Sequence, residues 1–135
     1  MNDLSLPSAA RRGVYQQLVD QVPGAVGEKR WQLLMAAHVL GQHDLRLHLD
    51  SHFRMLGQAL AERDVAEAAG QLLRIALTPI GHAASRLPTG NVGRATVSAF
   101  LPMQPPPEVQ QLLDRAMAAH AISTQSDPQA PGAAG

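Results

Sequence analysis

The sequence predicts an all-α fold, a compact bundle of four to five helices with a central antiparallel helical hairpin and an irregular arm that contains Gly and Pro. Apolar residues make up 45% of the chain and aromatic residues only 3%, so Ala, Leu, Val and Met must build the core. Ala and Leu favour helices, whereas the β-branched residues that favour strands are scarce. The link between residues 42 and 45 is very short, which is typical of two antiparallel helices.

The expected helices follow from the spacing of apolar residues and from capping residues. Ser8, Asp44 and Asp64 are suitable N-caps for the first, third and fourth helices. Glu67 completes a capping box with Asp64. We expect the helices at about residues 8–22, 28–42, 45–63, 64–78 and 108–120.

The segments between and after these helices are expected to be irregular. Pro79 should weaken or kink the fourth helix. A connection at residues 86–102 follows, in which residues 95–101 could form a short extended piece. The small, polar residues at 123–135 are rich in Pro and Gly, which predicts a disordered tail after a single helical domain at 1–122.

Charge and composition argue against several classes of protein. Eleven basic residues balance eleven acidic ones, so the chain lacks the positive charge that nucleic-acid binding requires. Its few aromatic residues also leave little for stacking on bases. There is no cysteine, which excludes disulfides, thiolate metal sites and cysteine nucleophiles. No stretch resembles a signal core or reaches the roughly 18 apolar residues of a membrane span, and we expect a cytoplasmic protein.

Two histidines of the third helix are expected to face the interior. On a helical wheel, Arg46, Asp50 and Arg54 mark the solvent face of this helix. His48 and His52 fall on the opposite side, one turn apart, within an apolar stripe. The stripe consists of Leu45, Leu49, Leu56, Ala59 and Leu60, with Met55 at its margin.

A third histidine lies on the second helix and is also expected to face inward. His38 shares one face with Trp31, Leu34, Met35 and Gln42. Other apolar residues surround the rest of this helix, which is therefore expected to be central. His38 lies one turn before the hairpin connection and His48 one turn after it. Helices packed about 8–10 Å apart could therefore bring these two rings and His52 toward one point.

Three inward imidazoles at matched height form a candidate metal site. A pair of histidines at i and i+4 presents two nitrogens to one ion, as His48 and His52 would, and His38 would be the third ligand. The alternative is a network in which each buried imidazole hydrogen-bonds its own protein partner and resists protonation. The sequence leaves both interpretations open.

The ligand set narrows the choice of metal. Three neutral imidazoles without a thiolate suit Zn, Cu, Ni or Fe better than Ca or Mg. Met55 could add a thioether, although filling the core is its simpler role, and Gln42 could be a weak ligand or an outer partner. The Glu-x-x-His motif of di-iron bundles does not occur in the chain, which argues against a di-iron oxidase.

The remaining histidines and a glycine-rich segment carry less information. His43, His82 and His120 fall in a connection, at a helix end and near the tail, and we leave them out of the site. The segment Gly90–Arg94 favours a tight turn packed over the helices. A backbone nest that binds an anion with help from Arg86 is the alternative. Acidic residues are expected on solvent faces.

Four spaced motifs stand out within residues 28–113: Ala37-His38-x-Leu40-Gly41-Gln42, His48-x3-His52-x2-Met55, Gly70-Gln71-x2-Arg74 and Pro88-x-Gly90-Asn91-x-Gly93. Together they resemble a family of small bacterial helical proteins that is catalogued only as a domain of unknown function. The resemblance implies that the motif histidines and the glycine turn are defining features, and it implies no activity. Where the family's turn has Thr, this chain has Val92.

Three functional hypotheses remain at this point. The first is a transition-metal-binding protein that senses, buffers or delivers its ion through His38, His48 and His52. The second is a non-catalytic helical interaction module, such as a homodimer, whose histidines serve packing or respond to pH. The third is a three-histidine metal hydrolase, for which the sequence offers no evident general base.

Overall fold

In a computed structural model the chain folds as an all-α bundle, as predicted. The structure describes residues 6–84, 91–95 and 104–126, which form five α-helices and no β-strand. None of these helices is long and apolar enough to cross a membrane. The helices are α1 (Ser8–Gln21), α2 (Glu28–Gly41), α3 (Leu45–Ala61), α4 (Val65–Ala83) and α5 (Pro107–Gln125), and a 3₁₀ turn at Val22–Gly24 follows α1.

The central helix is α2, as its apolar circumference predicts. Trp31 and every residue from Leu33 to Gly41 are buried. Helices α1, α3 and α5 all pack against α2, so a polar side chain between Leu33 and Gly41 is buried whichever way it points. Gly41 allows α3 to approach closely, because a Cβ at this position would lie 2.8 Å from the Cβ of Leu47.

The hairpin of α2 and α3 forms at the predicted short connection. The Asp44 side chain accepts hydrogen bonds from the backbone N–H groups of Arg46 and Leu47, at 3.0 and 3.3 Å, and so caps α3 as predicted. The predicted cap at Ser8 is wrong. Ser8 is already the first helical residue, Pro7 occupies the cap position, and no side chain accepts a hydrogen bond there.

A tight turn joins α3 to α4. The N–H of Asp64 donates to the carbonyl of Ala59 at 2.9 Å, and Arg63 has a positive φ of 57°, as in a Schellman turn at a helix end. The Asp64 carboxylate then accepts from the N–H of Glu67 at 2.9 Å, so the predicted cap is present. The other half of the capping box is absent, because the Glu67 side chain turns into the interior.

Two helices extend beyond their predicted ends. Helix α4 continues through Pro79 to Ala83, although we expected it to end near Thr78. Pro79 is exposed, so the hydrogen bond that its missing N–H removes lies at the surface, where the break is tolerated. Helix α5 runs to Gln125 rather than to about residue 120. Of the extended piece expected at residues 95–101, only Ala95 is described, and the last nine residues also lie outside the described residues.

The buried face of α3 differs from the predicted stripe. His48 and His52 face inward as expected, and with them Ser51, Met55 and Ala59. Leu45 and Leu60, which we placed on the same face, are exposed instead. The inward direction is therefore rotated away from the leucines and toward Met55, because α4 and α2 cover this side of the helix.

Candidate metal centre

The structure brings His38, His48 and His52 together in the interior. His38 comes from α2 and the other two come from α3, and all three side chains are buried. The ring centroids form a nearly regular triangle, with separations of 4.8, 4.7 and 4.9 Å. One nitrogen of each ring lies within 4.8 Å of one nitrogen of each of the others. This is the convergence that the helical wheels predict.

His38 is held by the segment at residues 91–95. Its Nδ1 lies 2.8 Å from the carbonyl oxygen of Asn91 and, because a carbonyl only accepts, Nδ1 carries the hydrogen. Nε2 is buried, and no described residue offers it a hydrogen-bond partner. Gly93 has a φ of 81°, and a Cβ at Gly93 would lie only 2.8 Å from the imidazole. The described part of the segment predicted as a turn, residues 91–94, thus packs directly on His38.

His52 is held by Gln71 of α4. The Gln71 amide nitrogen donates to the Glu67 carboxylate at 2.7 Å and to the carbonyl of Gly93 at 2.8 Å. The amide oxygen is then left to accept, and it lies 2.7 Å from Nδ1 of His52. This network assigns the hydrogen of the neutral His52 ring to Nδ1 and leaves Nε2 as its acceptor.

His48 is held by a fourth histidine, His82 of α4. Nδ1 of His48 lies 3.0 Å from Nε2 of His82, and the ring centroids are 5.3 Å apart. His82 also hydrogen-bonds the backbone carbonyl of Gln42, which can only accept. A neutral His82 that donates to this carbonyl through one nitrogen accepts from His48 through the other. The hydrogen of His48 is therefore also assigned to Nδ1.

His82, which we left out of the site, is not one of the three rings that could share an ion, but it directly contacts one of them. We expected α4 to reach only about Thr78, with His82 at the helix end. Because α4 continues through Pro79, His82 lies on the same helix face as Gln71 and Thr78 and reaches His48. A polar stripe of Glu67, Gln71, Arg74, Thr78 and His82, spaced for one face of an otherwise apolar helix, is the sequence pattern that could have revealed it.

The three buried histidines are neutral at pH 7. Burial, together with the neighbouring histidines, lowers the pKa of His48 from 6.5 to about 3. Burial also lowers the pKa of His52 to about 4, against a hydrogen bond to Gln71 that raises it. Burial lowers the pKa of His38 well below its usual value as well, and the other two rings add to the effect. A neutral imidazole is the form that binds metals.

A polar network lies behind the histidines. Glu67 is only 2% exposed, which contradicts our expectation that acidic residues lie on solvent faces. Besides Gln71, its carboxylate accepts from the N–H of Ala95 at 3.0 Å and lies 3.4 Å from the Arg94 guanidinium. That guanidinium stacks on the Trp31 ring at 3.7 Å. The network ties residues 91–95 to both α2 and α4.

The other candidate residues take up different positions. Met55 is fully buried and belongs to the hydrophobic core. Gln42 is buried, and its amide nitrogen lies 3.4 Å from Nε2 of the exposed His43. His120 lies on α5, far along the chain from the site, where its ring occupies the space that a Cβ at Gly13 would need. Gly90 and Arg86, which completed the alternative anion nest, lie outside the described residues.

Comparison with known proteins gives a family but no activity. A family model described as a protein of unknown function (DUF3703) matches residues 10–113, more than three quarters of the chain. The chain belongs to this family. The match begins in the first turn of α1, spans α2 to α4 and ends in α5, and thus includes all four histidines of the cluster. No curated protein and no solved structure matches the chain.

We expect Gly93→Ala to lower the free energy of unfolding by about 2 kcal/mol or more. The left-handed backbone alone costs an alanine roughly 1–2 kcal/mol, and its Cβ would also collide with the His38 ring. Urea unfolding measures the effect. Gly57→Ala is the matched control, because this exposed glycine of α3 has open space around it, and alanine should stabilise the helix there by up to about 1 kcal/mol. Equal effects of both substitutions would contradict the close contact.

We also expect the metal-free protein to lose stability as the pH falls from about 7 toward 4. The unfolded histidines take up protons near pH 6.5, whereas the folded rings of His48 and His52 resist until about pH 3 and 4. The unfolded state therefore binds more protons in this window, and acid favours it. Urea unfolding at several pH values, with a chelator present, measures the slope. His48→Gln should reduce the slope, and a flat profile in the unsubstituted protein would exclude neutral buried rings.

Proposed function

We propose that this protein binds one transition-metal ion through Nε2 of His38, His48 and His52, and that it senses, buffers or delivers that ion. The observation that carries the proposal is the buried triangle of imidazoles, each tied through Nδ1 to a different acceptor. The Nε2 atoms of the three rings are then free of hydrogen, and that of His38 is buried with no hydrogen-bond partner among the described residues. A buried acceptor that no donor satisfies is costly, and a cation shared with the other two rings would satisfy it.

The dimensions of the cluster suit a tetrahedral ion after a small contraction. Bonds of about 2.0–2.1 Å from zinc to nitrogen place ligand nitrogens roughly 3.3 Å apart in a tetrahedron. The ligand atoms of the three histidines lie within 4.8 Å of one another, so the largest separation would have to close by about 1.5 Å. Small rotations of the imidazoles supply movements of this size without any change in the helices.

The surroundings of the three rings are those of a metal ligand set. Histidine ligands commonly donate a hydrogen bond from the N–H of their second ring nitrogen to a carbonyl, a carboxylate or another acceptor. This bond fixes the tautomer and the orientation of the ring. Here Asn91, Gln71 and His82 provide these acceptors. Three imidazoles without a thiolate favour Zn, Cu, Ni or Fe. Three protein ligands also leave a fourth coordination position for water or for a receiving partner.

The charge around the site is mixed. Arg74 is buried beside His38 and His52 and lowers the pKa of both, so it opposes any added positive charge. Glu67 lies on the same face of α4 and favours positive charge at His52 and Arg74. A bound divalent ion would therefore be partly balanced by Glu67, and Arg74 would favour an anionic group, such as hydroxide, in the fourth position.

Among the described residues, the side of the site next to His82 is the more exposed one, and an ion could be exchanged there. His82 is only half-buried, and it lies directly against His48. His38 and His52 are enclosed more completely. Sensing, buffering and delivery all require an ion that can leave again, and access along His82 and His48 would serve each of them.

We expect the tag-free protein to bind one equivalent of Zn, Cu, Ni or Fe. Calorimetric titration and competition with a chelator measure the stoichiometry and the affinity. His38→Ala, His48→Ala and His52→Ala should each weaken binding by more than the roughly 10–100-fold that loss of a ligand's hydrogen-bond partner costs. His120→Ala is the control and should bind as the unsubstituted protein does. Failure of all four metals to bind or to raise the melting temperature would rule the proposal out.

His82→Ala tests the outer support of the site separately. We expect it to weaken binding by about 10–100-fold without abolishing it, because His48 keeps its Nε2 but loses the acceptor that orients the ring. His82→Gln offers a side-chain oxygen that can accept from Nδ1, and it should restore part of the affinity. The same titrations report both variants. Loss of all metal binding in His82→Ala would indicate that His82 is a ligand, and an unchanged affinity would indicate that it has no role in the site.

A further inference from the structure

The inner and outer faces of α4 are reversed relative to an ordinary surface helix. In such a helix, apolar residues face the core and polar residues face water. On α4 the buried positions carry the polar side chains of Glu67, Gln71, Arg74 and Thr78. The exposed side is entirely apolar and carries Val65, Ala69, Leu72, Leu73, Ala76 and Ile80.

This reversal follows from the site. The buried histidines need acceptors, and α4 provides them through Gln71 and His82, so its inner face has to be polar. The charged residues of α4 are Glu67 and Arg74, and both are buried. Nothing in the hydrogen-bond network requires an apolar outer face, however. An exposed helix face needs a separate reason to carry two leucines, a valine and an isoleucine.

We propose that the outer face of α4 pairs with the same face of a second copy of this chain, as an antiparallel pair of helices about a twofold axis. A twofold interface is self-complementary, so each residue must meet a suitable partner when the helix is reversed. The proposal is independent of the metal site, although the two use opposite faces of one helix.

The order of residues along this face suits such an axis. About a point between Leu72 and Leu73, reversal places Leu72 opposite Leu73. It also places Ala69 opposite Ala76, and Val65 opposite Ile80. Large side chains thus meet large ones at the centre and at both ends, and two alanines between them leave room for the helices to approach. The absence of charge removes any repulsion between the two copies.

The size of the face also suits a dimer. Val65, Leu72, Leu73 and Ile80 are each more than half exposed. Together with Ala69 and Ala76 they present apolar surface on the order of 500 Å² per copy, within the range of the largest apolar patch on a soluble monomer. Stable interfaces bury about 800 Å² on each partner, so this face would supply more than half of such an interface.

A lipid surface is the less suitable partner for this face. Helices that lie on membranes carry Lys and Arg along their polar side, which hold them to anionic lipids. Helix α4 has no lysine, and its one arginine, Arg74, is buried. The chain as a whole has no net charge.

Sedimentation velocity of the full chain over a range of concentrations tests the proposal. We expect a dimer that Leu72→Glu and Leu73→Glu each weaken at least about thirtyfold, as expected for a central contact residue. Ile122→Glu is the matched control, because Ile122 of α5 is 65% exposed against 57% for Leu72 but lies away from α4. Circular dichroism shows whether each variant keeps its helices. A monomer at every concentration would overturn the proposal, and so would a dimer that both α4 variants leave intact.

Disulfide cross-linking gives a second readout that leaves the leucines unchanged. The chain has no cysteine, so single substitutions report one position each. In the antiparallel pair, mixed Ala69→Cys and Ala76→Cys chains should cross-link to each other. Neither variant should cross-link to itself, because the same position on the two copies lies about seven residues, or roughly 10 Å, apart along the axis. Cross-linking of each variant only to itself would indicate parallel helices and overturn the arrangement.

Discussion

The hydrogen bonds that leave Nδ1 of the three buried histidines determine much of the rest of the structure. An imidazole in the interior needs a partner for its N–H, and here each partner belongs to an element other than the histidine's own helix. Asn91 ties α2 to the segment after α4, and Gln71 and His82 tie α3 to α4. Loss of these partners would leave buried donors unsatisfied, at a cost of about 1–3 kcal/mol each. The cluster therefore adds directed hydrogen bonds between parts of the chain that the hydrophobic core also joins, through Met55 of α3, Ala68 of α4 and Val92.

Helix α4 shows how far this requirement reaches. It packs against α3 with polar side chains rather than with the apolar stripe that usually holds a surface helix in place. Its attachment depends on directed hydrogen bonds, which demand one register and one rotation of the helix. An apolar contact would tolerate small rotations, and the imidazoles would then lose their alignment. A polar inner face thus gives up the free energy of burying apolar side chains, and in return it places Gln71 and His82 precisely.

The sequence predicts those parts of the molecule that depend on local chemistry. The helices, the cap at Asp44 and the inward direction of His38, His48 and His52 all follow from short-range spacing and capping. The contact of His82 with His48 could not be predicted in this way, because it requires α4 to continue through Pro79. Whether α4 continues depends on the turn around Pro79 being exposed, which local sequence does not show. The outward position of Leu60 did not follow either, because the side of α3 that is covered is set by α4. The carbonyl of Asn91 carries no side-chain pattern that could point to His38.

The position of the single tryptophan gives this protein a built-in optical reporter. Trp31 lies on α2, two turns before His38, and the guanidinium of Arg94 stacks on its indole ring. The same short segment supplies the carbonyl that binds His38. Any rearrangement of the imidazoles that shifts residues 91–95 will thus change the surroundings of the indole. Its emission can follow the state of the interior without an added dye, and with no second tryptophan to obscure the change.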